Sequence, residues 1–314
     1  MTRHLLRDDD LSPAEQAEVL ALAKELKAAP YSCHALEGPQ AVAIIFDKPT
    51  LRTQASFTAG VAQLGGYPML VDGALARIGT RESVADVARV LGRMTSAVVW
   101  RTFGQERLEE MAAHAGVPVV NALTDQFHPC QLLADLQTIE EHKGPLAGLQ
   151  VAFLGDAASN MSHSFLLAGA TAGIHVRVSG PQGFHPDAAV LARAQEVAGA
   201  TGGSARSVGD PVDAVRGVDV VVTDTWVSMG KEEEAGERNA PFLPYAVTTD
   251  LLAHADADAI VLHCLPAYRG KEIAAEVIDG PRSVVWHEAE NRLHAQKALL
   301  AWLLARADAG GKPA

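Results

Sequence analysis

Short apolar runs rich in β-branched residues alternate with longer segments of helical periodicity along most of the chain. Such runs are typical of strands buried on both faces, and their alternation with helices is typical of parallel sheets. The predicted strands are residues 41–46, 69–71, 97–100 and 117–120, then 150–154, 175–178, 218–223, 259–263 and 283–286. The predicted helices between them include residues 83–93, 131–142, 186–198 and 271–278. We therefore predict an α/β fold.

Residues 142–148 are rich in Gly and Pro and separate two blocks of similar size. Because such residues mark connections between elements, we predict two doubly wound domains, residues 1–143 and 144–287, each a parallel sheet flanked by helices. A final helix, residues 288–307, is long enough to pack back on the first domain. The tail, residues 308–314, is predicted to be disordered.

The charge balance excludes several partners. The chain has 26 Lys and Arg against 38 Asp and Glu, a net charge of −12, without a basic run. This balance argues against binding to nucleic acid or to an anionic membrane surface.

The cysteines Cys33, Cys130 and Cys264 lack C-x-x-C spacing, which argues against a disulfide framework and a structural zinc site. With no apolar signal segment or membrane-spanning run, we expect a cytoplasmic protein.

The loop after the first predicted strand has the chemistry of an anion site. It contains Thr50, Leu51, Arg52 and Thr53 and leads into a helix. A helix start offers free backbone N–H groups, the threonines add hydroxyls, and the arginine adds a planar fork suited to phosphate. On its own, the loop fits a capped helix with a solvated arginine equally well.

Two further loops of the first half carry polar residues at strand ends, where ligands bind in open parallel sheets. Arg101 follows the strand at 97–100, although an arginine there is more often in a surface ion pair. His128 precedes Pro129, which suits the first position of a helix, and Gln131 shares a face with His128. Three such loops in one half favour binding of an anion.

The second half offers groups suited to an amino-acid-like molecule. Asn160 opens a predicted helix, Asp224 ends a strand and could bind an ammonium group, Ser228 and Met229 form a polar turn, and Cys264 ends another strand. The loop after residue 154 lacks G-x-G-x-x-G, so dinucleotide binding is weakly supported. Two halves with complementary ligands imply group transfer.

Five motifs in order resemble the aspartate/ornithine carbamoyltransferase family, and its ornithine-specific members most closely. The similarity runs from about residue 3 to residue 304. The motifs are Thr50-Leu51-Arg52-Thr53, Trp100-Arg101-Thr102, Phe127-His128-Pro129-Cys130-Gln131, Asp224-Thr225-Trp226-Val227-Ser228-Met229-Gly230 and His263-Cys264-Leu265-Pro266.

The resemblance implies transfer of a carbamoyl group from carbamoyl phosphate to L-ornithine, giving L-citrulline and phosphate in arginine metabolism. It implies no metal, no organic cofactor and a homotrimer or a higher multiple. Carbamoyl phosphate is expected to contact Thr50, Leu51, Arg52, Thr53, Arg77, Arg101, His128, Pro129, Cys130 and Gln131. Ornithine is expected to contact Asn160, Asp224, Ser228, Met229, Cys264, Leu265 and Arg292, and the expected catalytic residues are Arg52, Arg101, His128 and Cys264.

Several positions depart from the family's pattern, among them Ser159 in place of an Asn and His287 in place of an Asp. Three others lie in the half predicted to bind carbamoyl phosphate. Leu51 lacks a hydroxyl that the family usually has, Gln54 stands where a second arginine is common, and Arg77 stands near a usual glutamine. In the family, the loop around Arg77 reaches into a neighbouring subunit's site. Backbone amides at Leu51 and Thr53 survive these changes, so phosphate binding is expected to survive as well.

Three alternatives stay open at this point. One is carbamoyl transfer to a related amine such as putrescine, although Asp224 and Ser228 suit a free α-amino group. Another is a non-catalytic paralogue that binds a ligand or a partner enzyme, which the altered loop at residues 49–51 supports. The last is a nucleotide-linked oxidoreductase, which the doubly wound pattern alone suggests. This support is weak because a fold does not fix a function.

Overall fold

The computed structural model of the chain describes residues 2–226 and 240–309. The described residues form two compact units. The first unit contains the residues up to Gln137 together with those from Glu290 onward, and the second contains residues 138–289. Each unit is built on a parallel sheet with flanking helices, which confirms the predicted fold class.

The first unit contains a four-stranded parallel sheet in the order β2-β1-β3-β4. The central strands β1 and β3 are almost entirely buried, as their continuous apolar runs predict. Its strands are β1 (Ala41–Phe46), β2 (Tyr67–Asp72), β3 (Ala97–Arg101) and β4 (Val119–Leu123). Its helices are α1 (Pro13–Ala28), α2 (Arg52–Gln63), α3 (Gly73–Ala76), α4 (Val84–Met94), α5 (Gln105–Ala115) and the start of α6 (Pro129–Lys143).

The second unit contains a five-stranded parallel sheet in the order β7-β6-β5-β8-β9. The strands are β5 (Gln150–Leu154), β6 (His175–Ser179), β7 (Ser204–Ser207), β8 (Val220–Thr223) and β9 (Ile260–His263). The helices are α7 (Asn160–Thr171), α8 (Ala188–Thr201), α9 (Pro211–Val215), α10 (Thr249–Leu252), α11 (Ala275–Ile278) and the start of α12 (Val285–Ala309).

The part of α12 after Glu290 packs on α1, which confirms the prediction for the C-terminal helix. Trp302 Nε1 donates to Glu18 at 2.9 Å. The buried Lys297 ammonium donates to the Leu26 carbonyl at 3.3 Å and to the Pro30 carbonyl at 3.1 Å. A buried ammonium needs such partners, because burying it without them costs several kcal/mol. These bonds fix the end of α1 against the last helix.

The predicted strand at residues 283–286 is wrong. Ser283 makes only an isolated bridge with Val261, and α12 begins at Val285. A short apolar run can be read as either a strand or a buried helical start, because four residues do not resolve the period. The sequence also missed β7, and the helix predicted at residues 271–278 covers only Ala275–Ile278. The last helix extends to Ala309, two residues past its predicted end.

No helix in residues 2–226 and 240–309 has both the length and the apolar character needed to cross a bilayer.

Each sheet contains a point where the strand order reverses, between β1 and β3 in the first unit and between β5 and β8 in the second. The loops that leave neighbouring strands at such a point diverge to opposite faces, and ligands bind in the crevice beyond the carboxyl ends. The candidate residues after β1 and β3, and those after β5 and β8, lie at these two positions.

Candidate active site

The polar loops of the first unit begin at one edge of its sheet. Phe46, Arg101 and Leu123 are aligned in register at the carboxyl ends of β1, β3 and β4. The loop from Asp47 to Leu51 follows Phe46, and the segment leading to His128 follows Leu123. The parallel register therefore brings the sequence-predicted loops of this half to the same edge.

The Thr53 hydroxyl accepts from two arginines. Arg292 Nη2 donates to Thr53 Oγ1 at 2.7 Å, and Arg101 Nη1 makes a longer contact with the same oxygen at 3.5 Å. Arg292 Nη1 also donates to Gln131 Oε1 at 2.7 Å. All four side chains are buried. A buried pair of guanidinium groups strongly favours an anion or a polarised carbonyl oxygen, because charge interactions are stronger away from water.

Arg292 thus contacts Gln131 and Thr53, two residues that the sequence places at carbamoyl phosphate. The family resemblance placed Arg292 among the ornithine contacts. The residue is 161 positions from Gln131 and 239 from Thr53 along the chain. No local pattern reveals a contact over that separation.

The helix start after β1 presents its backbone as predicted. The helix α2 begins at Arg52, with Leu51 at the N-cap position and no side-chain cap. The first N–H groups of such a helix lack intrahelical partners and suit a phosphate. Thr53 is fully buried, Thr50 and Arg52 are partly buried, and the Leu51 side chain is 78% exposed.

Restoring a hydroxyl at position 51 is expected to change little. Because the Leu51 side chain points into solvent and the backbone amides remain, Leu51→Thr should alter the KM for carbamoyl phosphate less than tenfold, equivalent to about 1.4 kcal/mol if KM tracks binding. Steady-state kinetics with varied carbamoyl phosphate test this. A larger fall in KM would mean that the natural loop is an incomplete phosphate site.

His128 is neutral in this environment. It precedes α6, and its carbonyl accepts from the Gln131 N–H at 2.9 Å, which matches the predicted cap position. Burial holds the pKa of His128 well below its usual value, and the positive charges of Arg292, Arg101, Arg52 and Lys48 lower it further. A neutral imidazole can donate one hydrogen bond to a developing oxyanion without carrying a charge.

The depressed pKa of His128 predicts a pH-dependent stability. Below pH 6.5 the unfolded chain binds a proton at this residue and the folded chain does not, so stability falls as pH falls. Between pH 7.5 and 5.5, the wild type should lose about 1.4 kcal/mol more free energy of unfolding than His128→Gln. Urea titrations of both proteins across this range measure the difference. Parallel pH dependences would show that folded His128 is protonated normally.

Cys130, which follows Pro129 at the start of α6, is fully buried. Burial raises the pKa of the Cys130 thiol to about 12. The thiol therefore stays protonated and acts as a packing residue.

Asp47, directly after β1, contacts the residues around Arg101 and was not among the predicted site residues. Its Oδ2 atom accepts from Thr102 Oγ1 at 2.6 Å and from Trp100 Nε1 at 3.1 Å, and it forms an ion pair with Arg107 at 3.3 Å. The Asp47 N–H donates to the Arg101 carbonyl at 2.9 Å. Asp47 therefore binds the residues on both sides of Arg101. Its place directly after β1 was the available signal.

Lys48 is a second residue of the first unit that was not among the predicted site residues. Its ammonium forms an ion pair with Asp125 and lies 4.7 Å from the centre of the Phe103 ring. The whole residue is buried. Lys48 therefore joins the loop after β1 to the loops after β3 and β4.

In the second unit, an acid and a thiol meet at the ends of β8 and β9. Cys264 Sγ donates to Asp224 Oδ1 at 3.2 Å. Burial raises the pKa of Asp224, while the nearby His263 and the bond from Cys264 oppose that shift. The two strands are neighbours in the sheet, with Thr223 paired to His263. A carboxylate in this place can bind an ammonium group, and the thiolate form of the cysteine can accept a proton from it.

The backbone after Cys264 is held in an uncommon conformation. Leu265 has φ +58°, in the left-handed region that a branched side chain rarely adopts. Its N–H donates to His263 Nδ1 at 2.9 Å, so the His263 proton is on Nε2, which faces Glu272 Oε1 at 3.3 Å. Both side chains of that pair are buried. The pair therefore fixes the imidazole that orients Leu265.

The donor atoms of Asp224, His263 and Cys264 lie within 4.8 Å of one another, a spacing that a metal ion could bridge. The His263 ring nitrogens already bind Leu265 and Glu272, and the thiol already binds the carboxylate. A metal ion would have to displace these hydrogen bonds.

The remaining predicted residues are placed as follows. Asn160 is the first residue of α7, after β5. Arg77 is exposed and has φ +51° at the end of α3, where its carbonyl accepts from the Arg81 N–H at 2.9 Å. Ser228 and Met229 lie outside the described residues.

The first unit has buried arginines, and the second has a carboxylate and a thiol at its strand ends. This combination is typical of enzymes that transfer a group from an anionic donor to an amine. Residues 3–141 match the family model for the carbamoyl-P binding domain of aspartate/ornithine carbamoyltransferase, and residues 147–303 match that for its Asp/Orn binding domain. The chain therefore belongs to the aspartate/ornithine carbamoyltransferase family.

Individual relatives cover nearly the whole chain. It is 63% identical to the ornithine carbamoyltransferase of Clavibacter sepedonicus over 97% of this chain and 99% of that protein. It is 60% identical to the ornithine carbamoyltransferase of Mycolicibacterium paratuberculosis over 97% of this chain and 98% of that protein. The solved ornithine carbamoyltransferase from Pyrococcus furiosus superposes with a TM-score of 0.93 at 42% identity, covering 97% of each chain.

Proposed function

We propose that this protein is an enzyme that transfers the carbamoyl group of carbamoyl phosphate to the δ-amino group of L-ornithine, giving L-citrulline and phosphate. The observation that carries this proposal in the structure is the pair of buried arginines, Arg101 and Arg292, directed at the Thr53 hydroxyl beside Gln131. The ornithine carbamoyltransferases of Clavibacter sepedonicus and Mycolicibacterium paratuberculosis, at about 60% identity over nearly their full length, support the choice of ornithine.

Carbamoyl phosphate binds in the first unit in this proposal. Arg52, Thr50 and the backbone amides of Leu51 and Thr53 bind the phosphate oxygens, because a helix start and a planar guanidinium suit them. Arg101 contacts both the phosphate and the carbamoyl oxygen, and neutral His128 donates to that oxygen. Gln131 contacts the carbamoyl group. Arg292 is assigned here as well, because it bonds to Gln131 and Thr53.

Three further residues have minor parts in this half. Pro129 sets the first turn of α6, and Cys130 packs behind it. Arg77 is assigned to a copy of the chain that donates its loop to this site, as the family resemblance implies.

Ornithine binds in the second unit in this proposal. Asn160, Asp224, Ser228 and Met229 hold its α-carboxylate and α-amino groups, and the Leu265 carbonyl and Cys264 face its δ-amino group. The hydrogen bond from the Leu265 N–H to His263 supports its part, because it holds the backbone in place at this residue.

The reaction requires a neutral δ-nitrogen, whose pKa in free solution is about 10.4. The Cys264 thiolate takes a proton from the δ-ammonium group, and the resulting thiol donates to Asp224, as it does in the structure. The nitrogen lone pair then forms a bond to the carbonyl carbon. Arg101 and His128 stabilise the oxyanion, the bond from that carbon to the phosphate oxygen breaks, and the departing phosphate takes the second nitrogen-bound proton.

We propose that copies of the chain associate as a homotrimer or a higher multiple. The edge strand β2 supports association, because Tyr67 is 59% exposed and Leu70 is 46% exposed. Proteins commonly cover exposed edge strands. Light scattering on the purified protein measures the mass. The proposal also places the reaction in the cytoplasm and in arginine biosynthesis, which rests on the family resemblance.

A citrulline assay with carbamoyl phosphate and ornithine tests the function. The wild type should form citrulline, and Arg52→Ala should raise the KM for carbamoyl phosphate by about 10²-fold, as expected for loss of a charge-assisted phosphate contact. Putrescine in place of ornithine is the substrate control. A higher rate with putrescine would identify a related-amine enzyme, and carbamoyl phosphate binding without turnover would identify a non-catalytic paralogue.

A further inference from the structure

A buried carboxylate lies directly behind the proposed carbamoyl site and has no role in the chemistry described above. Asp135 is one helical turn after Gln131 on α6, and both side chains are fully buried. Gln131 Nε2 donates to Asp135 Oδ1 at 2.8 Å. On the other side, Gln131 Oε1 accepts from Arg292 Nη1 at 2.7 Å. The Gln131 amide therefore lies between a carboxylate and a guanidinium group.

This arrangement allows only one orientation of the Gln131 amide. A glutamine side chain can exchange its donor nitrogen and its acceptor oxygen by a half turn. A carboxylate only accepts hydrogen bonds and a guanidinium only donates them. The reversed orientation would place the amide oxygen against Asp135 and the amide nitrogen against Arg292, so both hydrogen bonds would be lost in a buried place where such losses are costly.

We propose that Asp135 is a positioning residue that sets Gln131 as a hydrogen-bond acceptor, and that this acceptor selects a carbamoyl group over an acyl group. The inference rests on the proposed function, which places the carbamoyl group beside Gln131. A carbonyl oxygen can accept two hydrogen bonds. Gln131 Oε1 therefore accepts from the carbamoyl NH₂ group as well as from Arg292. A methyl group in place of the NH₂ group donates nothing.

Acetyl phosphate is the probe that separates selection from general binding, because it differs from carbamoyl phosphate by a methyl group in place of the amino group. Calorimetry without ornithine measures the affinity for each compound and for inorganic phosphate. In Asp135→Leu, the Kd for carbamoyl phosphate should rise about tenfold, the loss expected for one buried hydrogen bond. The Kd values for acetyl phosphate and phosphate should stay within about twofold, since neither compound uses that acceptor.

Exchanging the carboxylate and the amide between positions 131 and 135 gives a second test, in which neither residue becomes apolar. Gln131→Glu alone places two carboxylates at hydrogen-bond distance and should lose the preference for carbamoyl phosphate. Adding Asp135→Asn supplies an amide donor at position 135 and keeps an acceptor at position 131 facing Arg292. The double variant should recover the preference to within about threefold of the wild type. Thr171→Val, which removes a buried hydroxyl that donates to the Leu167 carbonyl in the second unit, is the control for loss of a buried hydrogen bond elsewhere in the chain.

The outcomes separate this inference from the proposed function. An unchanged ratio of carbamoyl to acetyl phosphate affinity in Asp135→Leu, or in Gln131→Glu, overturns the inference even if citrulline is formed. Equal weakening of all three anions also overturns it, because that is the result of a purely structural role. Recovery of the ratio in the double variant supports it. Failure of the citrulline assay with the ratio behaving as expected overturns only the proposed transfer to ornithine.

Discussion

Replacing Arg101 with glutamine is expected to lower kcat/KM for carbamoyl phosphate by about 10³-fold or more. In the proposal, this guanidinium contacts both the phosphate and the oxyanion. Loss of one oxyanion donor costs roughly 10²- to 10³-fold in other enzymes. The buried position of Arg101 at the end of β3 strengthens its charge interactions. Initial rates of citrulline formation at varied carbamoyl phosphate give the ratio directly.

Arg89→Gln is the matched control for that prediction. Arg89 makes an exposed ion pair with Asp86 on α4, and such pairs contribute little. It carries the same change of charge and should keep kcat/KM within about twofold. Arg101→Lys separates charge from shape, because an ammonium cannot replace the planar fork. A glutamine variant that folds and retains activity within tenfold of the wild type would remove Arg101 from the reaction.

The sequence predicted the fold well because the central strands of both units are apolar along nearly their whole length. The run from Ala41 to Phe46 and that from Gln150 to Leu154 are strands with the predicted bounds. Prediction failed where burial was partial or the segment was short. β7 is polar, with one of its four residues buried, and the segment at 283–286 lies where a bridge passes directly into α12.

The candidate site was predictable where its residues follow strands. Arg101, Asp224 and Cys264 occupy strand ends, so the topology places them at the carboxyl edges of their sheets. Asp135 and Glu272 were not predictable in this way. Their side chains contact Gln131 and His263, respectively. A sequence shows an acidic residue one turn away, but side-chain burial and geometry decide whether the two residues meet.

Asp224→Asn is expected to weaken the use of ornithine far more than that of carbamoyl phosphate. The asparagine can still accept from the Cys264 thiol, but it lacks the negative charge that the proposal uses to bind an ammonium group. The KM for ornithine should rise by roughly 10²-fold, about 2.7 kcal/mol, which is typical for a charge-assisted hydrogen bond removed from a desolvated site. The Kd for carbamoyl phosphate, measured by calorimetry without ornithine, should be unchanged.

The raised pKa of Asp224 adds a second measurement. Ornithine binding requires the carboxylate form of Asp224. In the wild type, binding should therefore weaken on acidification at a higher pH than it would with an ordinary aspartate. The Asp224→Asn variant should lack this loss of ornithine binding at acidic pH. Asp210→Asn is the control, because Asp210 caps α9 in the same unit and asparagine caps equally well. An ornithine KM that rises no more in Asp224→Asn than in Asp210→Asn would show that Asp224 supports the Cys264 loop without contacting the substrate.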